Sequence, residues 1–239
     1  MNVWDIFAPV YEFSMRSQKN IYDFLYARIG EVAKNKDVLE LATGPGMIAR
    51  HIAPAAKSVV ATDFAPKMIE TALKAKNPEN LSFEVADATS LRFEDNSFDV
   101  VVIANALHII PNPEKALAEI RRVLKDDGLL IAPNFFFREG GKKNLWQKFL
   151  SLVGIRFAHE WTEKEYKAFL ESNGWSIKMA RVIEGRIDLV YVECERTSVS
   201  QTTKMVPAIM TSNATTYCSV IFSFRSTTEK RTPIKGAKA

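Results

Sequence analysis

The residues best suited to chemistry lie in and around the stretch Glu40-Leu41-Ala42-Thr43-Gly44-Pro45-Gly46-Met47-Ile48-Ala49. Gly44 to Ala49 spells G-x-G-x-x-A, a strand-to-helix turn in which bare backbone can lie against a nucleotide-like ligand. The pattern alone leaves the ligand open, because any group that must rest on backbone at a helix N-terminus needs such a turn. Acids follow in series: Glu40 just before the turn, then Asp63, then Asp87. A carboxylate at Asp63 can accept hydrogen bonds from both hydroxyls of a ribose. Asp63 and Asp87 are equally suited to capping helices or turns. His108, in Asn105-Ala106-Leu107-His108, could take a proton, and a lone histidine among apolar neighbours packs just as readily.

These residues need elements to hold them, and the hydrophobic periods supply them. Asp37–Ala42 reads as a strand, with a helix from Met47 to Ala53 stopped near Pro54. Ser58–Thr62 is a second strand, followed by a helix over Pro66–Lys74 with proline at its first position. Leu81–Ala86 is a third strand, and Phe98–Ala104 a fourth, continuously apolar as in a sheet covered on both faces. Glu114–Leu124 is an amphipathic helix ended by an Asp127-Gly128 turn, before a fifth strand over Leu129–Ala132. Further on, Lys142–Val153 patterns as a helix, and Thr162-Glu163-Lys164-Glu165 is a capping box opening another that ends at Asn173-Gly174. Strands near 176–183 and 187–193, joined by a Glu184-Gly185-Arg186 turn, should pair as an antiparallel hairpin at one edge. Strand alternating with helix at this spacing means a doubly wound α/β sheet, mostly parallel.

Composition narrows the class. With 239 residues, 47% hydrophobic and 25% charged, one globular domain plus an appendage is expected. The net charge of +4 is carried by residues 197–239, where Lys204, Arg225, Lys230, Arg231, Lys235 and Lys238 face a single acid, Glu229. The body over residues 1–196 is close to neutral, so the charge gives no strong nucleic-acid signal. Cys194 and Cys218 have neither metal-like nor redox-like spacing, and no apolar run approaches the roughly 18 residues of a membrane span. A cytoplasmic protein is the expectation, with a basic, Ser/Thr-rich, disordered extension over 197–239.

Taken in order, VLELATGPGMIARHIA, VVATDFAPKMIETA and FEVADATSLRFEDNSFDVVVIANALHIIPNPEKALAEIRRVLKDDGLLIA resemble the class I S-adenosylmethionine-dependent methyltransferases. The likeness is to their small-molecule branch, related to the quinone-biosynthesis enzymes, and it covers roughly residues 1–195. It implies a Rossmann-like sheet of seven strands, five parallel and then the hairpin. It also implies S-adenosylmethionine as cofactor, with its methionine portion on the turn at Thr43, Gly44 and Gly46 and its amino end near Glu40. The ribose would meet Asp63, with Phe64 beside it, and the adenine would meet Asp87 and Ala88; Asn105 and Tyr11 complete the cofactor set. An acid beside the turn suits an ammonium and a sulfonium and suits a pyrophosphate poorly. No metal is implied. Ala42 stands where the family has its first loop glycine, a small change, and Pro45 removes one N–H from the turn.

The resemblance implies lid helices over residues 1–34 and an acceptor-covering insertion over 135–160. Phe135-Phe136-Phe137 and the Trp146, Phe149 and Leu150 face point to an apolar, lipid- or quinone-like acceptor. The lysines of 142–150 allow transient membrane-surface contact, and packing on the sheet is the plainer role for that face. His108 is the candidate base, used only if the acceptor loses a proton; His159 is structural. A nicotinamide-dependent oxidoreductase, and a protein that binds S-adenosylmethionine without transferring a methyl group, stay open as alternatives.

Overall fold

The computed structural model describes residues 15–138 and 158–197. Tyr11, the 142–153 helix and the extension beyond residue 197 lie outside them. A single 3-10 turn at Arg16–Gln18 leads into α1 (Lys19–Val32). There follow β1 (Asp37–Leu41), α2 (Met47–Ile52), β2 (Ser58–Asp63), α3 (Pro66–Leu73), β3 (Leu81–Val85) and β4 (Phe98–Ile103). The remainder is α4 (Pro113–Val123), β5 (Leu124–Ile131), β6 (Asn134–Phe135), α5 (Glu163–Ser172), β7 (Trp175–Ile183) and β8 (Leu189–Arg196).

The strands form one sheet in which β3, β2, β1, β4 and β5 lie side by side in parallel. β8 runs antiparallel to β5 and carries β7 on its outer side. The expected seven strands become eight because Pro133 interrupts β5, which resumes as β6 against the same strand, Asn134 facing Val190. A second expectation also fails. Asp127-Gly128 does not end the helix, since Leu124 is already extended (φ −75°, ψ 140°). Phe98 faces Leu124 but Val100 faces Leu129, so residues 125–128 bulge out of the strand and absorb the loop that the sequence suggests.

Apolar alternation along the central strands serves both faces. Leu39, Leu41, Val101 and Ile103 pack beneath α4 and α5 with Leu117, Ile120, Tyr166 and Leu170. Val38, Val100 and Val102 pack against α1 and α2 with Ile21, Leu25, Ile29, Ile48 and Ile52. The Thr162 capping box forms as expected, Thr162 Oγ1 accepting from the Glu165 N–H and Glu165 accepting in return from the Thr162 N–H. α1 is held to the sheet by Arg28, whose Nε and Nη2 donate to the buried Glu193 carboxylate at 2.6 and 2.9 Å, while Tyr191 donates its hydroxyl to the same group at 2.7 Å.

Between β1 and α2 the backbone enters the left-handed region at alternate residues: Ala42 (φ 54°), Gly44 (φ 58°) and Gly46 (φ 79°). Gly46 is required twice over, because a Cβ there would also lie 2.7 Å from the Phe83 ring. Ala42 is therefore a costlier departure from glycine than its size suggests, its methyl group facing the clash that makes this region unfavourable for L-residues.

Two stability measurements follow. Ala42→Gly should raise unfolding stability by about 1 kcal/mol in denaturant titration, the relieved strain outweighing the added freedom of the unfolded chain. Arg28→Ala should lower it by roughly 3 kcal/mol, because the buried Glu193 charge loses its cation.

Candidate functional site

The strand order reverses between β1 and β4, and the chain leaves the two neighbours in opposite directions, opening a crevice above their carboxyl ends. A cavity of about 470 Å3 occupies this position, and a smaller one of about 30 Å3 lies on the far side of the glycine turn. Ala42, Gly44, Ala104 and Asn105 line both. The two spaces are thus adjoining compartments divided by the ends of β1 and β4.

The small compartment is built around Glu40. Its side chain is buried, and Oε2 accepts from the Thr43 hydroxyl at 2.6 Å while the Ala49 N–H of α2 donates to the carboxyl. Burial pushes the Glu40 carboxyl up to about 8, against the hydrogen bonds from Thr43 and Ala49; the Asp63 charge reinforces the rise and Arg50 opposes it. Tyr22, Met47 and Ile48 close the remaining walls. Thr43 is fixed in turn by its N–H, which donates to the Thr62 carbonyl at 2.8 Å. Gly46 supports the turn from behind, donating to the Thr43 carbonyl at 3.1 Å, and Arg50 Nη1 donates to the Pro45 carbonyl at 2.6 Å.

The large compartment takes its polar groups from the ends of β2, β3 and β4. Asp63 ends β2 nearly buried, with Oδ2 accepting from the Gly44 N–H and Oδ1 from the Ala65 N–H, both at 2.8 Å. The carboxylate that lines the cavity therefore also ties the glycine turn to the start of α3. Phe64 beside it is 62% exposed and forms part of the wall. Asp87 lines the opposite side with Ala88 and makes an Asx turn, Oδ1 accepting from the N–H and the hydroxyl of Thr89 at 2.8 Å each. Capping and lining are thus compatible roles for both aspartates. Met68, Ile109 and Ile110 supply apolar surface.

Asn105, on the seam, has left-handed backbone (φ 54°), and its N–H donates to the Pro133 carbonyl at 2.8 Å. Its Oδ1 is buried with no hydrogen-bond partner among the described residues. A buried acceptor left unpaired costs about 1–3 kcal/mol, and such a cost combined with an uncommon backbone conformation is typical of ligand sites.

His108 does not share either compartment. It is 4% exposed, behind the wall formed by its neighbours Ala106 and Ile109, with Nδ1 at 2.8 Å from Asn134 Oδ1. Burial lowers its imidazole to about 4, with the hydrogen bond to Asn134 acting in the opposite sense. His159 lies nearby, its N–H donating to the His108 carbonyl at 3.0 Å and its ring stacked on Trp161.

Glu40, Thr43, Gly44, Asp63, Phe64, Asp87, Ala88 and Asn105 are thus brought together around one crevice, with Gly46 buttressing the turn. Tyr22 and Asn134 are the residues that sequence reading overlooks. Tyr22 belongs to the Ile21, Tyr22, Leu25 and Ile29 stripe, which reads as helix core, and Asn134 follows a proline with no motif around it. Among the described residues no cluster of His, Cys, Asp or Glu could hold a metal ion, and no helix is long and apolar enough to cross a membrane.

Comparison with known proteins places this geometry. Residues 39–132 match the family model described as a methyltransferase domain. The demethylmenaquinone methyltransferase of Renibacterium salmoninarum is 36% identical over 138 residues, covering 56% of this chain and 57% of that protein. The ubiquinone/menaquinone biosynthesis C-methyltransferase UbiE of Citrifermentans bemidjiense is 38% identical over 105 residues, 41% of this chain and 45% of that one. The chain spans about half the length of these relatives. In fold it is similar to a chain in the complex between the Haloferax volcanii Trm112 methyltransferase activator and a methyltransferase, with a TM-score of 0.67, 19% identity and coverage of 82% and 98%. Residues 39–132 are accordingly a methyltransferase domain of the class I S-adenosylmethionine-dependent type, in a chain similar to the quinone-biosynthesis enzymes.

Proposed function

We propose that the protein transfers the methyl group of S-adenosylmethionine to a small apolar acceptor, a quinone-type ring in its reduced, electron-rich form. The observation that carries the cofactor half is the pair of adjoining compartments. A roughly water-sized space ending on a neutral buried carboxyl is suited to an ammonium group, and the 470 Å3 cavity beyond it has two carboxylates placed for ribose and adenine. The acceptor half rests on the quinone-biosynthesis relatives and on the apolar wall of Met68, Ile109 and Ile110.

Bound S-adenosylmethionine supplies a methyl group on a sulfonium, ready for in-line displacement. The protein's own work is alignment and exclusion of water. Glu40 gives up its proton to face the ammonium, and Thr43 and the Ala49 N–H hold the resulting carboxylate in place. Asp63 anchors the ribose while fixing the turn, Asp87 receives the exocyclic amine, and Phe64 covers the exposed edge. Asn105 Oδ1 lies at the seam, where positive charge on the ligand would satisfy it. A nicotinamide-dependent oxidoreductase is not favoured, since the buried carboxyl behind the glycine turn gives a pyrophosphate no countercharge and would only be held protonated by it. We further place the enzyme in the cytoplasm. Transient membrane contact by 142–150 would bring it to a lipid-soluble acceptor.

Two measurements test this reading directly. Incubating the full chain with methyl-labelled S-adenosylmethionine and reduced demethylmenaquinone should move label into the quinone fraction; label confined to polar metabolites or macromolecules would rule out the acceptor class. Asp63→Ala should weaken cofactor binding at least about tenfold in a calorimetric titration, the loss of one charge-assisted hydrogen bond sufficing for that; unchanged affinity would remove Asp63 from the site.

Glu40 gives a pH signature. Its carboxyl rises from 4.5 unfolded to about 8 folded, so between those values the folded chain binds more protons than the unfolded one. Ligand-free stability should fall as pH rises through that window, on the order of a few kcal/mol in all, and Glu40→Gln should flatten the decline. Cofactor binding at about pH 6.5 should release close to one proton, measured in buffers of different ionisation heat, and Glu40→Gln should bind weakly with no such release.

A further inference from the structure

The connection from β3 to β4 carries Asp87, Ala88 and Thr89 of the large cavity wall. Apart from a single bridge between Asp87 and Ser90, it has no regular structure of its own. A loop of this kind presents a side chain at a defined place only if a rigid element holds it. Asp87 is tied first to its neighbours: Oδ1 accepts from both the N–H and the hydroxyl of Thr89, and the Asp87 carbonyl accepts from the Ser90 N–H at 3.0 Å. Oδ2 takes no hydrogen bond among the described residues.

Leu91 is where the loop meets α4. Its N–H donates to Glu119 Oε2 at 2.7 Å, and its carbonyl accepts from Arg122 Nη2 at 2.8 Å. A guanidinium has five N–H groups, and Arg122 places every one of them. Nε donates to Glu119 Oε1 at 3.0 Å, and the second Nη2 hydrogen goes to Glu119 Oε2 at 2.9 Å. Nη1 donates to the Phe93 carbonyl at 2.7 Å and to Asp95 Oδ1 at 2.8 Å. The acceptors at Leu91, Phe93 and Asp95 all belong to the loop, and they begin four residues after Asp87. Behind them α4 is seated in the core by Ala116, Leu117, Ile120 and Val123, all buried. The Arg122 guanidinium holds the Glu119 carboxyl below its ordinary value, so the carboxylate stays ionised to receive Leu91.

We infer that Glu119 and Arg122 are positioning residues of the adenine subsite: through Leu91 and Thr89 they hold the Asp87 carboxylate with Oδ2 as its free acceptor, and so set the preference for a 6-amino over a 6-oxo purine. This rests on the S-adenosylmethionine reading above. Neither residue lines the cavity, so both act through the loop. The exocyclic amine of adenine donates to a carboxylate, whereas a 6-oxo purine presents an oxygen there, and two acceptors facing each other lose a hydrogen bond on both sides. That penalty is exacted only from a carboxylate that cannot turn away to water. A loosened loop would let Asp87 turn, and the two bases would then be bound more nearly alike. Lysine cannot stand in for Arg122, because its donors radiate from one point and cannot span a carboxylate and three loop acceptors together.

The test is a calorimetric titration of the full chain with S-adenosylhomocysteine and with its 6-oxo analogue, S-inosylhomocysteine. Wild-type protein should bind the first at least about 100-fold more tightly. Arg122→Lys should cut that ratio at least about fivefold, and Glu119→Gln should do the same, since an amide has one acceptor oxygen where Glu119 uses two. A general loss of stability does not move the ratio, because a smaller folded fraction weakens both ligands equally. In ligand-free Arg122→Lys, hydrogen exchange over residues 88–93 should quicken at least about tenfold while β1 and β4 keep their wild-type protection. A folded variant of either kind with wild-type discrimination, or exchange that quickens equally across the sheet, would overturn the inference; if Arg122→Lys does not fold, Glu119→Gln decides it alone. Wild-type protein that bound both ligands alike would remove Asp87 from the adenine subsite and this inference with it. Wild-type protein that bound neither is a separate failure, that of the methyltransferase reading itself.

Discussion

Glu40 is a carboxyl taken out of water, and much else in the crevice is arranged around the cost of doing so. Leaving it ionised would be expensive without a cation nearby, and ligand-free protein meets the difficulty by keeping it protonated at neutral pH. Thr43 can reach Oε2 only because the turn reverses within three residues, which is why Ala42, Gly44 and Gly46 all take left-handed backbone. The turn needs an anchor in its turn, and Asp63 supplies it through the Gly44 N–H. One buried acid thus dictates the conformation of a loop and the use of a second acid, Asp63, which reaches that loop nineteen residues back along the sequence at Gly44.

The sheet makes this possible by placing β1 beside β4 at the reversal of strand order. Both strands are buried on both faces, so a slip of one residue would drive Leu39, Val101 and their neighbours out of one packed layer and into the other, undoing the fit of both. Rigid register fixes where Ala42 and Asn105 emerge, and these two residues divide the cavity into its compartments. The strain held at both, positive φ on non-glycine residues, is tolerable because the strands beneath them leave no alternative path.

The parallel core was legible in the sequence because each of its strands is a short apolar run bounded by turn residues, and because helices fall between them. The residues that line the crevice were legible for a related reason, since Glu40, Asp63, Asp87 and Asn105 stand at or just beyond the carboxyl end of such a strand, and identifying the strand locates the residue. What escaped depends on tertiary contact. Leu124 continues from helix directly into strand because β4 pairs with it, overriding the Asp-Gly signal at 127–128. Tyr22 looks like any other member of a helix stripe, and its place in the Glu40 compartment comes from how α1 lies on the sheet. Asn134 has no local signal at all; its meaning lies in a histidine twenty-six residues away.

Burial moves the two central titratable groups in opposite directions to the same end. The Glu40 carboxyl rises to about 8 and the His108 imidazole falls to about 4, so both are uncharged near pH 7 before a ligand arrives. For a cationic cofactor the consequences differ. Glu40 can become an anion once an ammonium compensates its desolvation, which makes binding and deprotonation one event. His108 lies behind the cavity wall and gains nothing from the cation, so burial keeps it uncharged whether or not the ligand is present.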